Sequence, residues 1–409
     1  MFKSSLARRV TSGMAAFAAS LGLVVAAGPQ AAADESDRCP ANSFCVFQYE
    51  GWKGEMKIIT SSQTKLGTWN NRISSFVNNS GKWATAYLGE NYTTTDSDIM
   101  IITDYNGAIS SLGSKWNNTI SSIRVGASEY EVTSGKPYME WGSDYWGKRP
   151  AGLPAANQFG DLNNDGLSDL LERAADGRLW FLNGIRKADG STTGKLVGGG
   201  WNAMTQLVRH GDYNGDAKED LYARDTTGVL WFYPGRGDGT FGTRVRVGGG
   251  WNTMREISAA GDLTGDGRRD LLARDTEGVL WLYPGNGKGI FGSRKVSGTG
   301  GWNAMNRLVA PGDMNGDGKA DLIARDGNRV LWLYPGLDTG KFGSRKQLPY
   351  AWPLDSPVIS VGDVGGDGKS DLMRPINYQL FIYHGNGTGG IGGPWADMSW
   401  DNAPKVRVF

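Results

Sequence analysis

Histidine and cysteine are scarce in this chain, with two of each in 409 residues. The histidines are His210 and His384. Neither stands beside a serine or cysteine outside the repeat pattern described below, so the sequence offers no visible nucleophile–histidine relay. Charge of one sign is also missing: 43 Lys and Arg oppose 42 Asp and Glu, a net +1. That balance argues against nucleic acid or an anionic membrane as a bulk partner. Beyond the first 33 residues no apolar run is long enough to cross a bilayer, so no membrane span is expected.

Those first 33 residues read as a secretory leader. Lys3, Arg8 and Arg9 form a positive start, Met14 to Ala27 an apolar stretch, and Ala31-Ala32-Ala33 a small-residue cleavage site before Asp34. The Arg8-Arg9 pair lacks the apolar motif of twin-arginine export, which leaves the general route. Removing the leader takes away three basic residues and no acidic ones, leaving 40 against 42, or −2. The expected location is outside the cell, free or wall-associated. In that oxidising setting Cys39 and Cys45, six positions apart, are expected to pair and pin the first strand. The other reading, a metal site, lacks a nearby histidine or further cysteine.

Glycine and tryptophan are abundant, at 62 and 16 residues. Glycine without a collagen period, joined to many aromatics, points to short strands between tight turns. From residue 161 one pattern returns five times, opening at Asp161, Asp212, Asp262, Asp313 and Asp363, at spacings of 51, 50, 51 and 50. Each copy runs from an aspartate-rich loop to a short apolar run, then an aromatic strand such as Leu280-Trp281-Leu282-Tyr283. A fourth strand follows, and then Trp201, Trp251, Trp302, Trp352 or Trp400. About four strands per repeat predict a β-propeller over 155–409, with five blades from the count; six would need residues 137–157 to build most of another. Trp400 to Phe409 repeats the strand that precedes an aspartate loop, so it is expected to pair with the blade of Asp161 and close the ring.

Residues 34–126 carry a twofold repeat of their own. Asn70-Asn71-Arg72-Ile73-Ser74-Ser75 recurs as Asn117-Asn118-Thr119-Ile120-Ser121-Ser122, 47 positions later. Two equivalent four-strand units predict a double Greek-key sandwich. Residues 127–154 are left as a linker or a first propeller strand. The whole chain is therefore expected to be all-β.

The aspartate loops carry the strongest chemical signal. Positions 1, 3, 5 and 9 present side-chain oxygens, position 7 a carbonyl, and glycine at position 6 allows the bend, a donor set suited to calcium, Ca2+. The candidate ligands are Asp161, Asn163, Asp165 and Asp169; Asp212, Asn214, Asp216 and Asp220; Asp262, Thr264, Asp266 and Asp270; Asp313, Asn315, Asp317 and Asp321; and Asp363, Asp367 and Asp371. A helix-flanked calcium loop would need Glu at position 12, where four of the five copies have Ala or Arg. The first and fourth copies are complete, whereas the fifth has Gly365 at position 3 and should bind weakest. Asp, Asn and Gly also favour turns without metal, but four such side chains at fixed offsets exceed what a turn needs.

These loops, with Phe241-Gly242, Phe291-Gly292 and Phe342-Gly343, resemble the FG-GAP/VCBS-type propeller repeats of secreted bacterial proteins. Residues 38–126 look like the βγ-crystallin fold, through the doubled Asn-Asn-x-x-Ser-Ser and the Phe47-x4-Trp52-x-Gly54 signature. In the second half, Thr94 stands where that signature has glycine. The resemblance implies calcium ligation by Asn70, Ser74, Asn117 and Ser121. The early cysteine pair is similar to that of a crystallin-shaped metalloproteinase-inhibitor family, which implies a secreted metalloprotease as partner and no enzymatic activity.

The tryptophans admit two readings. Trp201, Trp251 and Trp302 share Trp-Asn-x-Met after glycine runs and could form a sugar-stacking platform, or pack blade against blade, which the regular period favours. Trp180, Trp231, Trp281 and Trp332 fall inside strands and are expected in the core. Arg236-Gly237-Asp238 occupies a turn that other repeats fill differently, so it is read as a turn variant. The leading expectation is a binding protein whose propeller engages a glycan or protein. A lectin-like adhesin is the alternative, and a hydrolase would require a pocket joining His210 to a carboxylate and a nucleophile.

Overall fold

The computed structural model describes residues 35–92, 99–102, 107–127, 132, 138–141, 148–184, 191–376, 379–400 and 407–408; the leader lies outside them. Glycine-punctuated, β-branched and aromatic runs give strands throughout. The α-helix among the described residues is a four-residue turn, Gly113–Trp116, and the fold is all-β.

The N-terminal region holds β1 (Phe44–Tyr49), β2 (Lys53–Ile59), β3 (Ser75–Asn78), β4 (Trp83–Tyr87), β5 (Ile99–Ile102), β6 (Gly107–Ile109) and β7 (Ser122–Gly126). They form two antiparallel sheets, ordered β2-β1-β3-β6 and β5-β4-β7. The halves exchange edges. β6 belongs by sequence to the second half but pairs with β3, Phe76 opposite Ile109. Gln63 of the first half bridges Ile123 on β7 through bonds of 2.7 and 3.0 Å. Phe44, Val46, Ile73, Phe76, Ile120 and Ile123 fill the space between the sheets. The alternate residues of β1, Cys45 and Phe47, are buried under Cys39, Trp52 and Met56. The Cys39–Cys45 disulfide is formed, with Cα atoms 5.8 Å apart. Arg38 closes this lid, stacking on Phe47 and donating to the carbonyls of Trp52 and Gly54 at 3.2 and 2.9 Å.

The repeat region begins with β8 (Tyr138–Trp141), then β9 (Leu170–Arg173), β10 (Leu179–Leu182), β11 (Ser191–Thr193) and β12 (Lys195–Gly198). The second repeat gives β13 (Met204–Val208), β14 (Leu221–Asp225), β15 (Leu230–Tyr233) and β16 (Val245–Gly248). The third gives β17 (Met254–Gly261), β18 (Asp270–Asp275), β19 (Leu280–Tyr283) and β20 (Lys295–Gly298). The fourth gives β21 (Met305–Gly312), β22 (Asp321–Asp326), β23 (Leu331–Tyr334) and β24 (Lys346–Gln347). The fifth gives β25 (Leu372–Ile376), β26 (Gln379–Gly385) and β27 (Ile391–Trp400), followed by β28 (Arg407–Val408).

Repeats two, three and four are four-stranded meanders in chain order. The fifth sheet is extended by β8 and β11, in the order β11-β8-β27-β26-β25. Residues 138–141 thus join the far end of the repeat array. The first sheet is ordered β12-β10-β9-β28, with Arg407 opposite Arg173. In the second repeat the equivalent Arg224 lies opposite Gln206 on β13, so β28 fills a first-strand position. The remainder of that strand comes from the start of the array: Gly160 accepts the Asp169 N–H at 2.6 Å, as Gly211 accepts that of Asp220 at 2.9 Å. The C-terminal strand β28 therefore completes the first sheet, while Trp400 ends β27 in the fifth.

A second-strand arginine links each sheet to the next. Arg173 Nη1 donates to the carbonyls of Trp201 and Met204 at 3.0 and 2.6 Å. Arg224 and Arg274 repeat this toward Trp251 and Met254, and toward Trp302 and Met305. Arg325 reaches Pro353 and Ser356, each at 2.6 Å. The carbonyls bound in the next sheet by Arg173, Arg224 and Arg274 belong to the tryptophan turn before its first strand and to the methionine that opens that strand, and the tryptophan carbonyl also accepts the N–H of that methionine.

Candidate metal and partner sites

Each aspartate loop is built on its position-9 carboxylate. Asp169, Asp220, Asp270, Asp321 and Asp371 are all essentially fully buried. One oxygen accepts the N–H of position 2 (Leu162, Tyr213, Leu263, Met314 or Val364) at 2.8–3.0 Å. The other accepts the N–H of Gly184, Gly235, Gly285, Gly336 or Gly385 at 2.7–3.0 Å. The aspartate thus ties its loop to the hairpin after the aromatic strand. At Gly235 a Cβ would overlap the Glu219 carbonyl, so the hairpin docks on the loop's backbone at a glycine. Burial, opposed by these hydrogen bonds and reinforced by neighbouring carboxylates, pushes Asp169, Asp220 and Asp321 up to about 7 and Asp270 to about 6.

The position-1 carboxylate gathers the bend. Asp212 Oδ1 accepts from the N–H groups of Asn214, Gly215 and Asp216 at 3.2, 2.6 and 3.2 Å, and Oδ2 from Ala217 at 2.8 Å. Asp262, Asp313 and Asp363 are held likewise. At position 3, Asn163, Asn214 and Asn315 accept the N–H of position 5, whereas Thr264 turns its hydroxyl to Asp262 at 3.4 Å. At position 5, Asp165, Asp216, Asp266, Asp317 and Asp367 accept the N–H of position 7. The carboxylates are therefore turned onto the backbone, and among the described residues no group of three or more His, Cys, Asp or Glu side chains converges as a metal site.

The loops differ in the cations around them. Arg149 meets Asp161 Oδ2 at 2.9 Å in the first loop. Lys218, Arg268 and Lys369 approach Asp216, Asp266 and Asp367 at 3.8, 3.7 and 3.0 Å on the exposed side of loops two, three and five. In the fifth loop His384 Nδ1 lies 3.4 Å from Asp371 and beside Gly365, in the space left by the missing position-3 side chain. Lys319 in the fourth loop turns away to Asp338 at 3.6 Å.

In the N-terminal region the twin motifs cross. Ser74 donates to the Gln48 carbonyl at 2.8 Å and lies 3.3 Å from Asn118 Oδ1, while Ser121 donates to Asn71 Oδ1 at 3.3 Å. The second asparagine of one motif thus meets the serine of the other. The first asparagines cap the preceding turns: Asn70 and Asn117 donate their N–H to Gly67 and Gly113 at 3.0 and 2.9 Å. Asn117 Oδ1 is buried without a hydrogen-bond partner.

Trp201 and Trp251 are 7% and 8% exposed, and Trp302 is half-buried. They pack on Tyr233, Tyr283 and Tyr334 at centroid distances of 4.9, 4.6 and 4.9 Å. This geometry serves packing and leaves little open face for a sugar. Trp180 is buried, but Trp231, Trp281 and Trp332 are half-buried rather than in the core. Each donates Nε1–H to Asp225, Asp275 or Asp326 at 2.8, 2.6 and 2.9 Å and carries Arg244, Arg294 or Arg345 over its ring at 3.9–4.1 Å.

His210 lines a narrow cavity with Gln206, Ser258, Arg307 and Ser360, among residues from the first strands of repeats two to five. The lining includes no carboxylate. Burial holds the imidazole down to about 3, hence neutral, and its ring edge meets Phe159 at 4.8 Å.

Residues 32–99 match the model of peptidase inhibitor family I36. Residues 212–273, 262–324 and 313–373 each match the FG-GAP-like repeat. Among solved structures, a βγ-crystallin from an archaeon is 30% identical, covering 21% of this chain and 98% of that one, with a TM-score of 0.18. A βγ-crystallin domain from Flavobacterium johnsoniae is 26% identical, covering 21% and 96%, with a TM-score of 0.19. An Agrocybe aegerita lectin that recognises non-reducing terminal N-acetylglucosamine is 21% identical, covering 61% and 69%, with a TM-score of 0.39. No curated protein matches the chain. The chain thus joins a region matching peptidase inhibitor family I36, with βγ-crystallin domains among its structural neighbours, to FG-GAP-like repeats.

Proposed function

We propose that this is an extracellular, calcium-stabilised, non-enzymatic binding protein. Its N-terminal double Greek-key domain engages a secreted metalloprotease, and its repeats close as a five-bladed propeller presenting a surface to a glycan or protein. The observation that carries the reading is the match of residues 32–99 to peptidase inhibitor family I36, a stretch that includes the disulfide-pinned lid over β1.

The donor chemistry supports calcium. Asn117 Oδ1 is a buried oxygen lacking a hydrogen-bond partner, and a cation would satisfy it. In the fourth loop Asp313 Oδ2, Asn315 Oδ1, Asp317 Oδ1 and Asp321 Oδ2 are hard oxygens that each accept one backbone N–H, which leaves an acceptor site compatible with a cation. Asn70, Ser74, Asn117 and Ser121 would hold calcium in the N-terminal domain, and the fourth loop would hold it in the repeats. The ion would supply cross-linking charge, not chemistry.

Purified residues 34–409 titrated into a panel of secreted metalloproteases should abolish the activity of at least one at near-stoichiometric amounts. Full activity across the panel at molar excess would remove the inhibitor half of the proposal.

A further inference from the structure

The first aspartate loop differs from the others in what faces its position-1 carboxylate. The Arg149 side chain is 9% exposed and Asp161 14%, and Nη2 lies 2.9 Å from Asp161 Oδ2. Arg149 Nη1 donates to the Phe159 carbonyl at 2.5 Å, and its own N–H donates to the Gly166 carbonyl, inside the loop, at 2.8 Å. Asp169, Glu219 and Asp363 add negative field around the guanidinium. The loop's other oxygens are engaged internally. Asn163 Nδ2 donates to Asp165 Oδ2 at 2.8 Å, Asp165 Oδ1 accepts from Leu167 at 2.8 Å, and Asp161 Oδ2 also accepts from Gly166 at 2.8 Å.

No other repeat carries an arginine at this offset. Arg149 precedes its loop by 12 positions, and the residues 12 before Asp212, Asp262, Asp313 and Asp363 are Gly200, Gly250, Gly301 and Ala351. Guanidinium does not lose its proton in proteins. A divalent cation entering the loop would have to sit against a fixed positive charge or expel it, and expulsion would strip a buried ion of its partners.

We infer that Arg149 is the built-in cation of the first loop, which therefore closes without metal while the fourth loop takes calcium. This rests on the calcium reading above for the fourth loop, and the two can fail separately.

The test is calcium stoichiometry, by titration calorimetry on residues 34–409, for wild type, Asp161→Asn, Asp313→Asn and Arg149→Gln. Asp313→Asn should bind one equivalent fewer than wild type and Asp161→Asn the same number. Arg149→Gln should bind one more. Where wild type binds calcium, loss of an equivalent in Asp161→Asn, or no gain in Arg149→Gln, overturns the inference. Arg149→Lys, which keeps the charge, should match wild type and guards against misfolding of the Gln variant. A metal-free measurement separates the two readings: melting of Arg149→Gln, Asp161→Asn and the double variant in chelator. The double variant should melt no lower than the worse single variant. Additive losses there overturn the inference even if the protein binds no calcium at all, the result that would sink the calcium reading itself.

Discussion

Ser121 donates its hydroxyl to Asn71 Oδ1, fifty positions away, at 3.3 Å. The relation is mirrored by Ser74 and Asn118 at 3.3 Å, and by the main chain, where Asn71 donates to Ile120 and Asn118 to Ile73 at 3.0 and 2.9 Å. Both asparagines hold left-handed backbone, with φ of 56° and 58°. Each polar station is therefore assembled from both halves of the N-terminal domain, and neither half completes one alone.

That interlock predicts coupling between residues far apart in sequence. Asn71→Gly removes the side chain without straining the left-handed backbone, and Ser121→Ala removes its partner. Each should cost about 0.5–1.5 kcal/mol, the net worth of a hydrogen bond that is only part-buried because Asn71 is exposed. The double variant should cost about as much as the worse single one in urea unfolding. Additive losses would mean that the two groups do not act as a pair.

The arginine links between sheets should matter far more than the surface ion pairs. Arg274 supplies the Trp302 and Met305 carbonyls and lies 3.5 Å from buried Glu256, with side-chain exposures of 8% and 7%. Arg274→Met strands the Met305 carbonyl, removes the second donor to the Trp302 carbonyl and weakens the compensation of that carboxylate, which is expected to cost about 3–5 kcal/mol. Arg268→Met removes only an exposed pair with Asp266 and should cost less than about 1 kcal/mol. Chemical denaturation of the two variants checks the contrast, and equal losses would contradict the linking role.

Acid should read out the Asp–Trp–Arg sandwiches. Desolvation, the largest single contribution, pushes Asp225 up, but hydrogen bonds from Trp231 Nε1, Thr227 and the Val229 N–H together outweigh it and hold the carboxyl down to about 2, from an ordinary 3.8. A depressed carboxylate contributes stability that is present above the unfolded value and lost as pH falls through the folded one. The window is therefore from about pH 4 down to about pH 2. The Asp225 carboxyl carbon and the Trp231 indole N–H should titrate together near the lower end in nuclear magnetic resonance. A midpoint at the ordinary value would show that the indole bond is not made in solution.

Much of this architecture was legible because repetition exposes it. Five aspartate loops at near-constant spacing located the five repeat sheets, and the doubled Asn-Asn-x-x-Ser-Ser located the halves of the first domain. The return of the C-terminus to the sheet after Asp161 was readable from the strand that Trp400 to Phe409 repeats, though residues 407–408 make the pairing. What pattern could not show was direction across space. Period alone placed Trp231, Trp281 and Trp332 in the core, since a strand indole looks the same whether packed or capped by arginine. Arg244, Arg294 and Arg345, each 13 positions after its tryptophan, were the available signal. Arg149 lies outside the repeats, and nothing in its spacing marks it as a loop partner. That the position-9 aspartates bind the hairpin glycine was hidden, because metal ligation and backbone capping demand the same carboxylate.

The fourth and fifth loops offer the sharpest test of metal dependence. Asp317 and Asp367 occupy the same position 5, and each accepts the N–H two residues on, Lys319 or Lys369, at 3.0 Å. Asp317 has Asn315 beside it, whereas Asp367 has Gly365 in that place and Lys369 already paired to it at 3.0 Å. Converting either to Asn keeps an oxygen for the backbone bond and removes the charge. In chelator, Asp317→Asn and Asp367→Asn should therefore lower the melting temperature by similar, small amounts. With calcium at about a hundred times its dissociation constant, an ion bound only to the folded chain adds about 2.7 kcal/mol. Asp317→Asn should forfeit most of that increment, and Asp367→Asn little of it. Calcium-induced shifts that are equal in both variants would place equally competent sites in the two loops and defeat the ranking by ligand count.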